Sequence, residues 1–238
     1  ASFIQYGSST SVNASASPGT QAWVDSGSTY SYTSPLGGST STERWDTISA
    51  TGNILTTGTV NPSFYHQFQQ TLSYSVVGGG SPTAPTFAAS QFGSSGSVTL
   101  TPTASSTWFD AGASWTVTNP LSGSTSSERW FSSETVSGAI SAAQPLAFSY
   151  SHQYYLTMQV NPSDSGTTSS SGFYDSGCVV QISATANRGY AFKNWTGSGA
   201  GSFTDASNPT SVTMNAAITE TAFFTSQPPV SIIVTSDP

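Results

Sequence analysis

The chain has 238 residues and carries 4 basic and 11 acidic side chains, for a formal net charge of −7. Four cations cannot neutralise a run of phosphates, which excludes nucleic acid and polybasic attachment to a membrane as partners, and no apolar run approaches the length of a membrane-spanning helix. Aromatic residues are 12% of the chain and apolar residues 35%, enough for a core and unlike a disordered segment.

Cys178 is the single cysteine, so no intrachain disulfide can form. With so few carboxylates, stability is expected to depend weakly on pH. Abundant Ser and Thr with little charge suit an extracellular, acidic setting. The sequence begins at Ala1 without Met, which is expected of a mature chain after signal-peptide removal.

In chain order, residues 1–64 form a first predicted unit. It opens on YGSSTSV from Tyr6 and continues with WVDSGSTYSYTSPLGGSTSTERW at 23–45. Asp25-Ser26-Gly27 reads as a tight turn, because Asp bonds its own downstream backbone and Gly supplies a positive φ. Tyr30-Ser31-Tyr32 alternates as a strand does. A second unit, 65–148, begins with a clear strand from Gln67 to Val77 after His66. It then repeats the pattern as FGSSGSV from Phe92 and WFDAGASWTVTNPLSGSTSSERW at 108–130. A third, 149–226, opens with QYYLTMQV after His152 and carries FYDSGCVVQISATANRGYAFKNW at 173–195. In all three a Trp lies twenty residues after the Asp: Asp25 and Trp45, Asp110 and Trp130, Asp175 and Trp195. Each Trp is expected to precede a further strand, around Ile54, Ile140 and Ile218. Repeats with this alternation predict an all-β chain of tandem small β-sandwich, immunoglobulin-like units with a protruding terminal donor strand.

The first unit lacks the opening strand that His66-Gln67 and His152-Gln153 introduce in the others. Residues 227–238 supply a spare one: after two prolines come Val230, Ser231, Ile232, Ile233, Val234, Thr235 and Ser236. A sheet edge without its neighbour is a template for another chain. Residues 230–236 of one subunit are therefore expected to complete the first unit of the next by strand addition, in a head-to-tail homopolymer. The alternatives are a tail that folds back on its own chain, or Ala1–Tyr6 as donor.

Tyr174-Asp175-Ser176-Gly177 followed by Gly189-Tyr190-Ala191-Phe192-Lys193-Asn194-Trp195 resembles the internalin B-repeat, a small β-domain of surface proteins. The first two units depart from it, with Glu-Arg-Trp in place of the aromatic motif. In Ser/Thr richness, low charge and spare strand, the whole chain looks like the thread-type extracellular filament subunits of thermoacidophilic archaea. That resemblance implies glycosylated β-domains linked by donor strands.

Two sequons survive the no-proline rule, at Asn13 and Asn194, and N-linked glycans are expected there. Glu43-Arg44 and Glu128-Arg129 read as salt-bridging residues with the Arg on an aromatic ring; the rival is a carboxylate site. Lys193 is the only lysine and is read as an exposed side chain, an isopeptide cross-link being the alternative. His66 and His152 recur without partners at metal-ligand spacing and are read as packing residues, Cys178 as a small buried filler and the repeated tryptophans as core anchors. No catalytic, cofactor or metal site is expected. The leading function is a non-catalytic filament subunit serving adhesion, cell contact or biofilm. A monomeric carbohydrate-binding module and a secreted acid peptidase using a Gln/Glu pair, with Glu43 or Glu128 as its carboxylate, are the alternatives.

Overall fold

The computed structural model describes residues 1–227 and Val234. The predicted donor strand, Val230 to Ser236, lies outside the described residues except for Val234, which is exposed. Among the described residues there are twenty strands and no helix, so the chain is all-β, built as tandem immunoglobulin-like β-units.

The first repeat contributes β1 (Ser2–Gln5), β2 (Ser8–Ser11), β3 (Thr29–Ser31), β4 (Glu43–Asp46) and β5 (Thr51–Asn53). Then follow β6 (Tyr65–Val77), β7 (Thr86–Gln91), β8 (Ser94–Thr99), β9 (Ser105–Asp110), β10 (Ser114–Val117), β11 (Glu128–Phe131) and β12 (Ser137–Ala139). The rest are β13 (Gln144–Asn161), β14 (Gly166–Thr168), β15 (Gly172–Asp175), β16 (Val179–Ile182), β17 (Ala184–Ala186), β18 (Tyr190–Ser198), β19 (Thr210–Thr213) and β20 (Ile218–Ser226).

Two compact units share these strands. One comprises residues 1–74, 86–118 and 135–147; the other comprises 75–85, 119–134 and 148 onward. The first holds two four-stranded sheets, β2-β1-β3-β5 and β12-β10-β7-β8, while β4 and β9 lie on opposite edges of β6. Its core is Leu72, Phe87, Leu100, Phe109, Trp115 and Ile140, with the Phe87 ring 5.2 Å from Phe109 and 5.3 Å from Trp115. Of the apolar residues at 1–64, Phe3 alone is buried among the described residues.

In the second unit β11 and β15 pair with β13, and β20 lies between β13 and β18. Leu156, Ile182, Trp195, Val212, Met214, Ile218, Ala222 and Phe224 form one hydrophobic cluster, and Leu121, Trp130, Phe148 and Tyr150 are also buried in this unit. Cys178 is half-buried against this cluster, and burial, with the Asp175 charge behind it, pushes its thiol pKa up.

The D-x-G turn is the same object three times. Ser28, Ala113 and Cys178 each donate a backbone N–H to the Asp carbonyl three residues earlier, at 3.1 Å. Gly27, Gly112 and Gly177 take φ of 79°, 78° and 79°, the left-handed value a type II turn needs at its third position. The residue that pairs with this turn departs from expectation in the third repeat. Gly27 and Ser28 exchange backbone bonds with Ile54, and Gly112 and Ala113 with Ile140, but Gly177 and Cys178 do so with Met214. Met214, not Ile218, is the third member of that series. Met214 directly follows β19, whereas Ile218 already stands on the next strand, β20, opposite Leu156.

Candidate functional site

The tight turn between β1 and β2 places Tyr6 and Gly7 at positive φ, 52° and 76°; Phe92 and Gly93 between β7 and β8 match at 51° and 73°. A bulky aromatic residue in the left-handed region costs energy. A carboxylate offsets it. Asp25 accepts the Tyr6 and Gly7 amides at 2.9 and 2.7 Å, and Asp110 accepts those of Phe92 and Gly93 at 2.8 and 2.7 Å. In the first two repeats the Asp therefore does more than start its own turn; it holds a second turn eighteen or so positions upstream.

Asp110 has a further partner. β4 runs against β6 with Arg44 opposite Gln67 and Trp45 opposite His66, while β9 puts Asp110 opposite Gln67 on the other edge. On one face of β6, Glu43 Oε1 lies 2.7 Å from His66 Nε2, and the Trp45 ring stacks on the imidazole at 4.6 Å and 7°. On the other, Arg44 Nε donates to Gln67 Oε1 at 3.0 Å and Gln67 Nε2 donates to Asp110 Oδ1 at 2.9 Å. Arg44 also pairs with Asp46 at 2.9 Å and covers the Trp108 ring at 4.5 Å. A primary amide is the side chain suited to this place: its oxygen faces a group that only donates, and its nitrogen faces a group that only accepts.

The second unit repeats the junction. Glu128 meets His152 at 2.7 Å, and Trp130 stacks on His152 at 4.5 Å and 14°. Arg129 Nε donates to Gln153 Oε1 at 2.8 Å, and Gln153 Nε2 donates to Asp175 Oδ1 at 2.8 Å. Arg129 lies over Phe173 at 4.0 Å and over Phe131 at 4.3 Å. Desolvation lowers the guanidinium pKa. His152 is buried and its Nδ1 lies 3.1 Å from the Gly78 carbonyl. Both arginines thus lie over aromatic rings, Arg44 in an ion pair with Asp46 and Arg129 in a hydrogen bond to the neutral Gln153 amide, while the two glutamates bond to histidine rather than to arginine.

The equivalent edge of the first repeat is open. Residues 20–25 form no strand among the described residues and bond to β1 only through the Asp25 N–H on the Ile4 carbonyl, whereas β9 pairs with β6 and β15 with β13. Trp23, at the place of Trp108 and Phe173, is 83% exposed, and Tyr6, at the place of Phe92, is 84% exposed. Ile48 and Leu55 stand exposed in the same repeat.

Trp195 occupies a different place from Trp45 and Trp130. It lies on β18 opposite Ala222, fully buried. Lys193 is exposed on the same strand and takes part in no ion pair among the described residues. Asn13 is exposed. Asn194 is half-buried, and its Nδ2 donates to the Trp195 carbonyl at 2.8 Å. Among the described residues no three His, Cys, Asp or Glu side chains converge as metal ligands would, and no helix is long and apolar enough to cross a membrane.

Residues 156–228 match the model of the divergent InlB B-repeat domain. The match takes in the hydrophobic cluster around Trp195, from Leu156 to Phe224, as the Tyr-Asp-x-Gly and Gly-Tyr-x-Phe motifs lead one to expect, and leaves the buried Leu121, Trp130, Phe148 and Tyr150 of the same unit outside it. A surface-repeat domain of this type fits an extracellular surface protein. No curated protein and no solved structure matches the chain.

The histidine–glutamine pairs were visible in the sequence as markers of register. That the glutamines link Arg to Asp was not, because the three partners are 22 to 43 residues apart in sequence and meet only through strand pairing.

Proposed function

We propose that the chain is a non-catalytic structural subunit of an extracellular filament that polymerises head-to-tail, residues 230–236 of one copy adding a strand to the first repeat of the next. One observation carries this reading. The edge at residues 20–25 is covered by an opening strand in both other repeats and bare in the first, where Trp23 is exposed and Phe3 is the one buried apolar residue. Strand addition would satisfy the free ladder groups and bury the exposed rings together. Glycans on Asn13 would keep so weakly charged a surface soluble, and adhesion, cell contact or biofilm would be its use.

Electron microscopy of the full-length protein beside a variant lacking residues 228–238 tests this. Filaments from the first and monomers from the second are expected. Monomers from both, with the truncated chain merely melting earlier, would show that the tail closes its own chain.

An open groove lined by Tyr30, Tyr65, Asn53 and Asn61 favours a second reading, carbohydrate binding by a monomer. Sugar affinity in a strictly monomeric sample would support it.

A further inference from the structure

The third repeat ends on the same register as the first two. Gln67 lies thirteen residues after Ile54, and Gln153 thirteen after Ile140. Thirteen residues after Met214, their structural counterpart, stands Gln227. The backbone agrees. In β6 the amide of Gln69, on the same edge as Gln67, bonds to Thr42 beside β4, the strand that precedes it in the chain by one repeat step. Gln227 likewise donates its N–H to Gly189, at 2.7 Å, beside the start of β18. The preceding residue in each strand faces the other way. The His66 carbonyl accepts Ala111 N–H and the His152 carbonyl accepts Ser176 N–H, both at 2.8 Å, just after the repeated Asp. Ser226 holds that position in the third repeat. It is exposed and leads away from the β18 edge.

The first repeat offers the complementary half. Asp25 already holds the Tyr6 and Gly7 amides, as Asp110 holds Phe92 and Gly93, but no side-chain amide reaches it among the described residues. Ser26, in the place of Ala111 and Ser176, makes no backbone bond through its N–H among the described residues. Gln227 is exposed, and its side chain has no partner among the described residues either.

Resting on the filament reading above, we infer that the partner of the open edge is Ser226-Gln227 of a second copy, docked in the register of the two internal junctions. Gln227 Nε2 donates to the Asp25 carboxylate, and the Ser226 carbonyl accepts the Ser26 N–H. The junction between copies is not identical to the internal ones. Gly189 stands where Arg44 and Arg129 stand, and Tyr190 opposite Ser226 replaces the Trp–His stack. The contact between copies therefore keeps the glutamine–aspartate half of the motif and drops the arginine half, which leaves it weaker and open to exchange.

Paired cysteines test the register in the full chain. Ser26→Cys and Ser226→Cys, in a Cys178→Ala background, replace small exposed side chains and leave the Asp25 turn intact. Opposed residues of an antiparallel pair lie within disulfide reach. Oxidation of assembled protein should give a ladder of covalent multimers that reductant collapses. Filaments without a ladder would overturn this register while leaving strand donation standing. Monomers, with the two cysteines joined within one chain or not joined at all, would overturn both. Gln227→Ala, at an exposed site that the fold does not need, is the second measure. Loss of one hydrogen bond to a charged acceptor should raise the concentration needed for assembly roughly tenfold, and an unchanged threshold would contradict the proposal.

Discussion

Gln67 and Gln153 occupy equivalent positions at unequal depth. Gln67 is fully buried, Gln153 partly exposed, and each stands between a guanidinium and a carboxylate. Replacing the amide by a carboxylate keeps the Arg contact and sets two anions side by side, a repulsion that solvent relieves only at the exposed site. Gln67→Glu should therefore cost about 3 kcal/mol and Gln153→Glu about 1 kcal/mol at neutral pH, read from urea unfolding. Glu220 is a different kind of residue. It is fully buried, one oxygen accepts the Phe203 amide at 2.6 Å, and the other has no partner. Burial raises its pKa, the Phe203 bond opposing less strongly. The folded state thus holds this proton to higher pH than the unfolded chain does. The stability it contributes is full below the ordinary glutamate range, about 4.3, and is lost as pH rises from there toward the folded value. Glu220→Gln should raise the melting temperature at pH 7 by a few degrees and change it little at pH 4. A uniform shift at both would contradict this account.

Strands and turns were legible in the sequence because each rests on local chemistry: period-two alternation for β3, β10 and β16, and an Asp with a Gly two residues on for the three type II turns. The first two repeats aligned without a gap, and their Trp residues do share a place. The third did not, since Trp195 keeps the twenty-residue spacing from Asp175 yet stands opposite Ala222 in the core of the matched domain. Ladder register decides where a strand residue points, and spacing along the chain does not report it once a connection changes length: Tyr190, opposite Ser226 as Trp45 is opposite His66, holds the place five residues before Trp195. The same rings separate fold from assembly. Trp195→Ala should cost about 4 kcal/mol, as expected for emptying a packed core site. Trp23→Ala should change the stability of the monomer by under about 0.5 kcal/mol and weaken assembly instead. A large loss of monomer stability would mean that Trp23 is packed within its own chain in solution.

For the whole molecule, the sequence pointed to modification at both sequons, and the structure separates them. Asn13 is exposed, whereas the Asn194 amide nitrogen, the atom that would carry a glycan, is bonded to its own strand beside a buried Trp. Glycan occupancy at Asn13 and none at Asn194 is the expected result by peptide mass spectrometry of protein from its natural source. Polymerisation by strand donation makes a sharper demand, because a chain without residues 228–238 keeps an acceptor edge but retains only Ser226-Gln227 of the segment it would give. Such a chain can join one end of a filament and cannot extend it. The decisive measurement is filament length by electron microscopy as truncated chain is added to full-length protein in small proportion. If the tail links the subunits, mean length falls steadily as the truncated fraction rises. If lengths are unchanged and the truncated chain enters the filaments in proportion to its share, the tail is not the link and the open edge at Trp23 serves some other partner.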